Sequence, residues 1–187
     1  MNSEYVMGVD PGKHGGYCLI DTSGIQSQWF IPVPMNGKEI DMVKLIDMLK
    51  AVAPLVKLCV MEDVHSIFGS SAGSNFQFGR VTGIMETALI AAGIIPYKVQ
   101  PKAWQKIAWE GTEVVKLPTG RKNKAGKPLF KNDTKATSLN AATRLFPNES
   151  FLATSRSKIP HDGWVDAALI AYYGIRQFLQ KKKAPGQ

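Results

Sequence analysis

The chain has 187 residues, 44% of them hydrophobic, enough for one folded domain with a real core and too apolar for a wholly disordered protein. Lys and Arg number 23 against 15 Asp and Glu, a net charge of +8, which favours contact with phosphate. No apolar run approaches the length of a membrane span, and no basic stretch leads into a long apolar one at the N-terminus, so no membrane or secretory segment is expected and the location reads as cytoplasmic.

In chain order, residues 4–10 predict a first strand, DPGKHGG a glycine-rich turn, 17–21 a second strand and 25–33 a third. The short connections make this an antiparallel meander. Met42, Leu45, Ile46, Leu49, Val52 and Ala53 have helical spacing within 39–53, and 56–62 is a continuous apolar run expected as a buried strand. Cys18 and Cys59 fall in predicted strands without metal-ligand spacing and read as buried, reduced thiols. After a Gly/Ser-rich loop, Ser74 is positioned to cap a helix over roughly 75–92. Gly79 and Gly83 lie four apart in that helix. Each weakens it by about 1 kcal/mol relative to Ala, so they point to close approach of another backbone, either the sheet or a second subunit.

Residues 94–100 predict another buried strand, and Pro101 opens a short helix. The stretch KLPTGRKNKAGKPLFKN then carries Lys116, Arg121, Lys122, Lys124, Lys127 and Lys131 with no acid. Its prolines and glycines predict a long flexible loop, neither helix nor strand, within a basic insertion at about 114–132 that suits phosphate contact. Asp133 or Thr134 caps the next helix, which Pro147 stops after Phe146, and a last helix runs from near His161 to about Lys181, ahead of a basic tail. The order βββαβαβααα implies an α/β fold, a mixed sheet with helices on both faces, in a single domain over 1–187.

Four acids fall where a metal-dependent nuclease needs them. Asp10 closes the apolar run YVMGVD, and Glu62 closes KLCVME on a strand expected beside it. Asp162 and Asp166 are four apart in HDGWVDAALIAYY, on one helical face. Carboxylates at buried strand ends need partners, and hard divalent cations bind carboxylate oxygen. His161 is placed as an outer-shell or proton-relay group, or simply as a solvent-facing helix start.

GVDPGKHGG, CVMED and HDGWVDAALIA, in this order, resemble the RuvC-type Holliday-junction resolvases, nearest to the phage and mitochondrial branches. The likeness runs from Tyr5 to about Leu179. FGRVTGIMETALIAAG resembles the family's dimer-forming helix, and YKVQPKAWQK its strand leading into a lysine-bearing segment. The resemblance implies an RNase H-like fold with a mixed five-stranded sheet and a homodimer. It also implies cleavage of four-way DNA junctions with Mg²⁺ or Mn²⁺, two ions per site, to give 5′-phosphate ends. It makes Asp10, Glu62, Asp162 and Asp166 the metal ligands, though the spacing leaves open which of His161 and Asp162 contacts metal. Lys102, Lys106 or Lys135 would neutralise phosphate charge. In bacterial relatives an aromatic soon after the strand-end Glu wedges into the junction; His65 holds that position by count, and Phe68 is the nearest Phe, either a wedge or a loop anchor.

Three other readings remain. A related nuclease acting on flaps or forks fits the same acids. An actin-like ATPase is disfavoured, because the first turn lacks the expected hydroxyl residue and no second acidic glycine hairpin follows. A non-catalytic DNA-binding protein has no need of four converging carboxylates. No small organic cofactor is expected.

Overall fold

The fold is described by a computed structural model over residues 4–22, 28–65 and 69–180. Strands β1 (Tyr5–Asp10), β2 (Gly16–Asp21) and β3 (Gln28–Pro32) form the expected antiparallel meander. A small hairpin, β4 (Met35–Asn36) and β5 (Glu39–Ile40), leads into α1 (Met42–Val52) and a 3₁₀ turn, Ala53–Leu55. Strand β6 (Val56–Glu62) lies parallel to β1, and β7 (Pro96–Val99) parallel to β6, with α2 (Ala72–Ala91) between them in sequence. Then come α3 (Pro101–Ala108), β8 (Lys116–Lys122), β9 (Pro128–Asn132), α4 (Thr134–Leu145) and α5 (Asp162–Gly174), which continues as a π-helical segment to Gln180. The main sheet is five-stranded and mixed, in the order β3-β2-β1-β6-β7.

Side chains alternate across a strand, and that alternation builds two cores. Val6, Cys18, Ile20 and Val60 point to one face and pack against α3, α4 and α5. Met7, Val9, Tyr17, Leu19, Cys59 and Met61 point to the other and pack against α1 and α2. Helices therefore cover both faces, as the sequence implies. Both cysteines are buried and free. Among the described residues no helix is long and apolar enough to cross a membrane.

Several boundaries differ from expectation. Helix α1 starts at Met42, not 39, because residues 39–40 pair with 35–36 around Gly37; Asp41 then caps the helix by accepting from Lys44 N at 3.0 Å. Ser71, not Ser74, caps α2, accepting from Ser74 N at 3.1 Å. Strand β7 is a short sheet edge with only Val99 buried, since Gly93 turns the chain and Ile94 N still bonds back to Leu89 O.

The largest correction concerns the basic stretch. It forms a two-stranded antiparallel hairpin, β8–β9, where a loop was expected. Asn123 makes the turn, its side chain accepting from Ala125 N and Lys127 N, while Gly126 adopts positive φ. Gly120, also at positive φ, sits in a register shift where Thr119 Oγ1 donates to Leu129 O. Both strands are edges, so Pro118 and Pro128 are tolerated there. The glycines and prolines that signal a loop are the turn and bulge of a ribbon.

Helix α5 lies on β1 with backbone against backbone. A Cβ on Gly8 would fall 2.0 Å from Ala167 O and 2.4 Å from Ala171 N. A Cβ on Gly163 would fall 2.3 Å from His14 O and 2.5 Å from Gly15 Cα, in the turn after β1. Only glycine fits at either end of this contact. Gly8→Ala and Gly163→Ala are each expected to destabilise the fold by about 1–3 kcal/mol or more, read as a lowered thermal midpoint. An unchanged midpoint in both variants would show that the helix does not sit this close.

Candidate active site

The same alternation that builds the cores aims the acids. Asp10 follows Val6 and Gly8 on the face of β1 that meets α5, and Glu62 follows Val60 on the same face of β6. Val9 pairs with Met61 in the parallel ladder, so Asp10 and Glu62 end neighbouring strands side by side. Asp162 and Asp166 come from the first two turns of α5, held there by the glycine contacts at Gly8 and Gly163. The structure thus brings Asp10, Glu62, Asp162 and Asp166 into one electrostatically coupled group.

Burial raises the proton affinity of Asp10, Glu62 and Asp166, and neighbouring carboxylates add to it at Asp10 and Asp166. Asp10 is pushed well above the usual carboxylate range, first by desolvation and then by the charges of Asp166, Glu62 and Asp162. Asp166 is raised to about 7, mainly by desolvation; a hydrogen bond with Ser138 works against the shift, and Glu62 and Asp162 add to it. Glu62 is also raised by burial, offset by the indole of Trp104, whose Nε1 donates to Oε1 at 2.7 Å. Asp162 is the exposed member and pairs with the Lys135 ammonium at 2.5 Å. A cleft of about 120 Å³ opens here, lined in part by Lys135, Ser138, Ile159, Pro160, Asp162 and Asp166.

The donor set is all carboxylate oxygen, which suits a hard cation. Asp166 Oδ1 is buried and has no hydrogen-bond partner, an orphaned acceptor. These observations fit a cation. Among the described residues, however, no three acidic, histidine or cysteine side chains surround a single ion-sized point. Asp162 instead bonds Lys135, and Glu62 accepts from Trp104.

The other expected residues fall in different places. His161 is the N-cap of α5, its Nδ1 accepting from Trp164 N at 3.3 Å, so that nitrogen is committed to the helix. Burial lowers its pKa, which favours the neutral ring. Lys102 and Lys106 are exposed on α3, on the side away from Trp104 and Ala108. Arg121, Lys122, Lys124, Lys127 and Lys131 are exposed on the β8–β9 hairpin, and Lys135 alone of the expected cations touches the acid group. His65 is exposed, with Nε2 at 3.0 Å from the Gln100 side-chain amide. Phe68 lies outside the described residues.

Sequence reasoning missed Trp104 and Ser138. Trp104 is 1% exposed and holds Glu62, while Ser138 is buried and meets Asp166. A signal existed for the first: Trp104 and Ala108 mark the apolar side of a short amphipathic helix, and a buried indole N–H needs an acceptor.

No protein-family model matches the sequence, and no curated protein does. Solved structures do. Thermus thermophilus RuvC in complex with a Holliday junction substrate aligns at TM-score 0.52 and 15% identity, over 91% of this chain and 92% of that one. A second Thermus thermophilus RuvC structure aligns at TM-score 0.52 and 16% identity, over 92% of this chain and 95% of that one. The chain has the RNase H-like α/β fold of the RuvC-type Holliday-junction resolvases.

The raised proton affinity of Asp166 has a stability consequence. Its folded form holds a proton more tightly than the unfolded chain does, so its contribution to stability is full below about pH 4 and is lost as pH rises through about 7. In chelator, Asp166→Asn is therefore expected to raise the thermal midpoint at about pH 8, with the difference shrinking towards pH 4. A variant less stable than the parent at both pH values would refute the assignment.

Proposed function

We propose that the chain is a divalent-cation-dependent endodeoxyribonuclease that resolves four-way DNA junctions as a homodimer. The observation that carries this reading is the coupled group of four acids at the strand ends and on α5, with an orphaned Asp166 oxygen, in a protein of net charge +8. The RuvC-type fold supports it.

Asp10, Glu62, Asp162 and Asp166 would hold Mg²⁺ or Mn²⁺, two ions per site. When bound, the cations would supply activation of the attacking water and neutralisation of charge at the scissile phosphate. The protein's own groups prepare that event. Trp104 fixes one oxygen of Glu62 and leaves the other available. Ser138 hydrogen-bonds Asp166, which would give up its proton with a cation bound. Asp162 pairs with the Lys135 ammonium, and with a cation bound Lys135 would be free to meet a phosphate oxygen. His161 acts from the outer shell, keeping the start of α5 in place. Lys102, Lys106 and the cations of the β8–β9 hairpin bind phosphates away from the chemistry. Cytoplasmic location, with the DNA, belongs to this reading.

The dimer rests on α2. Gly79 and Gly83 have nothing within 4 Å that a Cβ would meet, so close approach to the sheet does not account for them. Phe76, Gly79, Gly83, Thr87 and Ile90 recur at helical spacing on its outer side, with Phe76 69% and Ile90 51% exposed. An apolar stripe with a glycine waist suits a second copy of the same helix, and two-fold symmetry matches a four-way junction.

Asp10→Asn and Glu62→Gln are expected to abolish Mg²⁺-dependent cleavage of a synthetic four-way junction while retaining binding, since the basic surface is untouched. Parallel assays on fork, flap and linear duplex locate the preferred substrate. Cleavage by either variant at near the parent rate would contradict the proposal, and preferential cutting of flaps or forks would replace the junction with those substrates.

A further inference from the structure

The β8–β9 hairpin stands apart from both cores. All its strand residues except Thr119 are exposed, so it contributes nothing to either core. It is tied at its root, where Asp133 N bonds to Val115 O at 2.8 Å and Val115 N to Thr137 Oγ1 at 3.1 Å. Asp133 caps α4, whose first turn carries Lys135, the partner of Asp162. The ribbon therefore rises from the rim of the acid cleft.

Its two faces follow from the register. Residues opposite one another in an antiparallel pair share a face. Lys116 faces Asn132, Pro118 faces Phe130, and Lys122 faces Pro128, so Phe130 shares one face with Lys116 and Lys122. Leu117 faces Lys131, which puts Leu129 with them on the other. Phe130 is 58% exposed, and Leu117 and Leu129 are exposed as well. Residues 114–132 contain six cations and no acid.

A two-stranded ribbon with both faces in water is marginal by itself. Large apolar side chains among unopposed cations call for a partner that is polyanionic at its edges and apolar within. Duplex DNA has that form: phosphates flank a major groove about 12 Å wide, which admits a two-stranded β-ribbon, and base edges and thymine methyl groups line its floor. We propose that the β8–β9 hairpin lies in the major groove of a duplex arm, its cations on the flanking phosphates and Phe130 against the base edges. Seated so, it holds the arm whose backbone runs into the acid cleft. The purpose of that delivery rests on the nuclease reading; the binding itself does not.

The test uses the full chain in chelator, so that no strand is cut. Probes are a four-way junction, a linear duplex with the sequence of one arm, and vesicles of anionic phospholipid. The combined variant Lys122→Ala, Lys124→Ala, Lys127→Ala is expected to weaken binding to both DNAs by a similar factor, roughly tenfold or more. Its plot of log affinity against log salt should be shallower by about 0.9 for each phosphate that the variant no longer neutralises. Phe130→Ala should weaken both about tenfold with the salt slope unchanged, because it removes an apolar contact. Guanine N7, which faces the major groove, should be protected from methylation by the parent chain and exposed again with Phe130→Ala.

Parent-like affinity and slope in these variants, absent N7 protection, or no DNA binding by the parent chain would each overturn the inference. Loss of vesicle binding in Phe130→Ala with DNA affinity intact would do so too, and would make the ribbon a lipid-binding element. A chain that binds through the ribbon yet cuts nothing with Mg²⁺ refutes the nuclease reading alone. A chain that cuts junctions while the ribbon variants bind like the parent refutes this inference alone.

Discussion

The acid site depends on one contact, the backbone of α5 laid directly on β1 and on the turn that follows it. Gly8 admits the helix at Ala167 and Ala171, and Gly163 admits the turn at His14 and Gly15. Between those two points the helix has little freedom to slide or roll. Asp162 and Asp166 are consequently held where Asp10 and Glu62 emerge from the sheet. A side chain at either glycine would meet backbone atoms and push the helix off the strand, carrying Asp162 and Asp166 with it.

That arrangement forces like charges together in a poorly solvated place, which folding alone would not favour. The chain relieves the repulsion group by group. Asp166 keeps a proton near neutral pH and hydrogen-bonds Ser138, Glu62 leans on the Trp104 indole, and Asp162 takes the Lys135 ammonium. Asp10, raised first by burial and then by the charges of Asp166, Glu62 and Asp162, has Lys135 as the cation acting to lower its proton affinity. Lys135 thus supplies positive charge that a bound cation would otherwise bring. A cation that took over both the Lys135 contact and the Asp166 proton would relieve the four acids together.

The sheet was legible because short continuous apolar runs bounded by turn residues mark buried strands, and its short connections gave the antiparallel meander. Asp10 and Glu62 stood out as charged residues ending such runs, and Asp162 and Asp166 as acids four apart entering an apolar helix. The partners were harder to read. Nothing local in the sequence says that Ser138 on α4 meets Asp166 on α5, or that Trp104 reaches Glu62 across the strand ends, because those contacts exist only after the helices dock. His161 reads in the sequence as an outer-shell or relay group or as a solvent-facing helix start, and in the structure its Nδ1 caps the helix it opens. The basic stretch misled for a physical reason: Asn123, Gly120 and Gly126 are loop residues in composition and hairpin residues in conformation. Gly8 passed unremarked inside a strand, although it is where the helix enters.

Whether the four carboxylates make one cation site is the central question. Calorimetric titration of Mn²⁺ into the DNA-free protein, near neutral pH and in two buffers of different protonation enthalpy, addresses this without any assumption about substrate. Saturable binding with protons released to the buffer is expected, abolished in Asp10→Asn and accompanied by less proton release in Asp166→Asn. Absence of saturable binding by the parent chain, or binding that survives unchanged in Asp10→Asn, would contradict it.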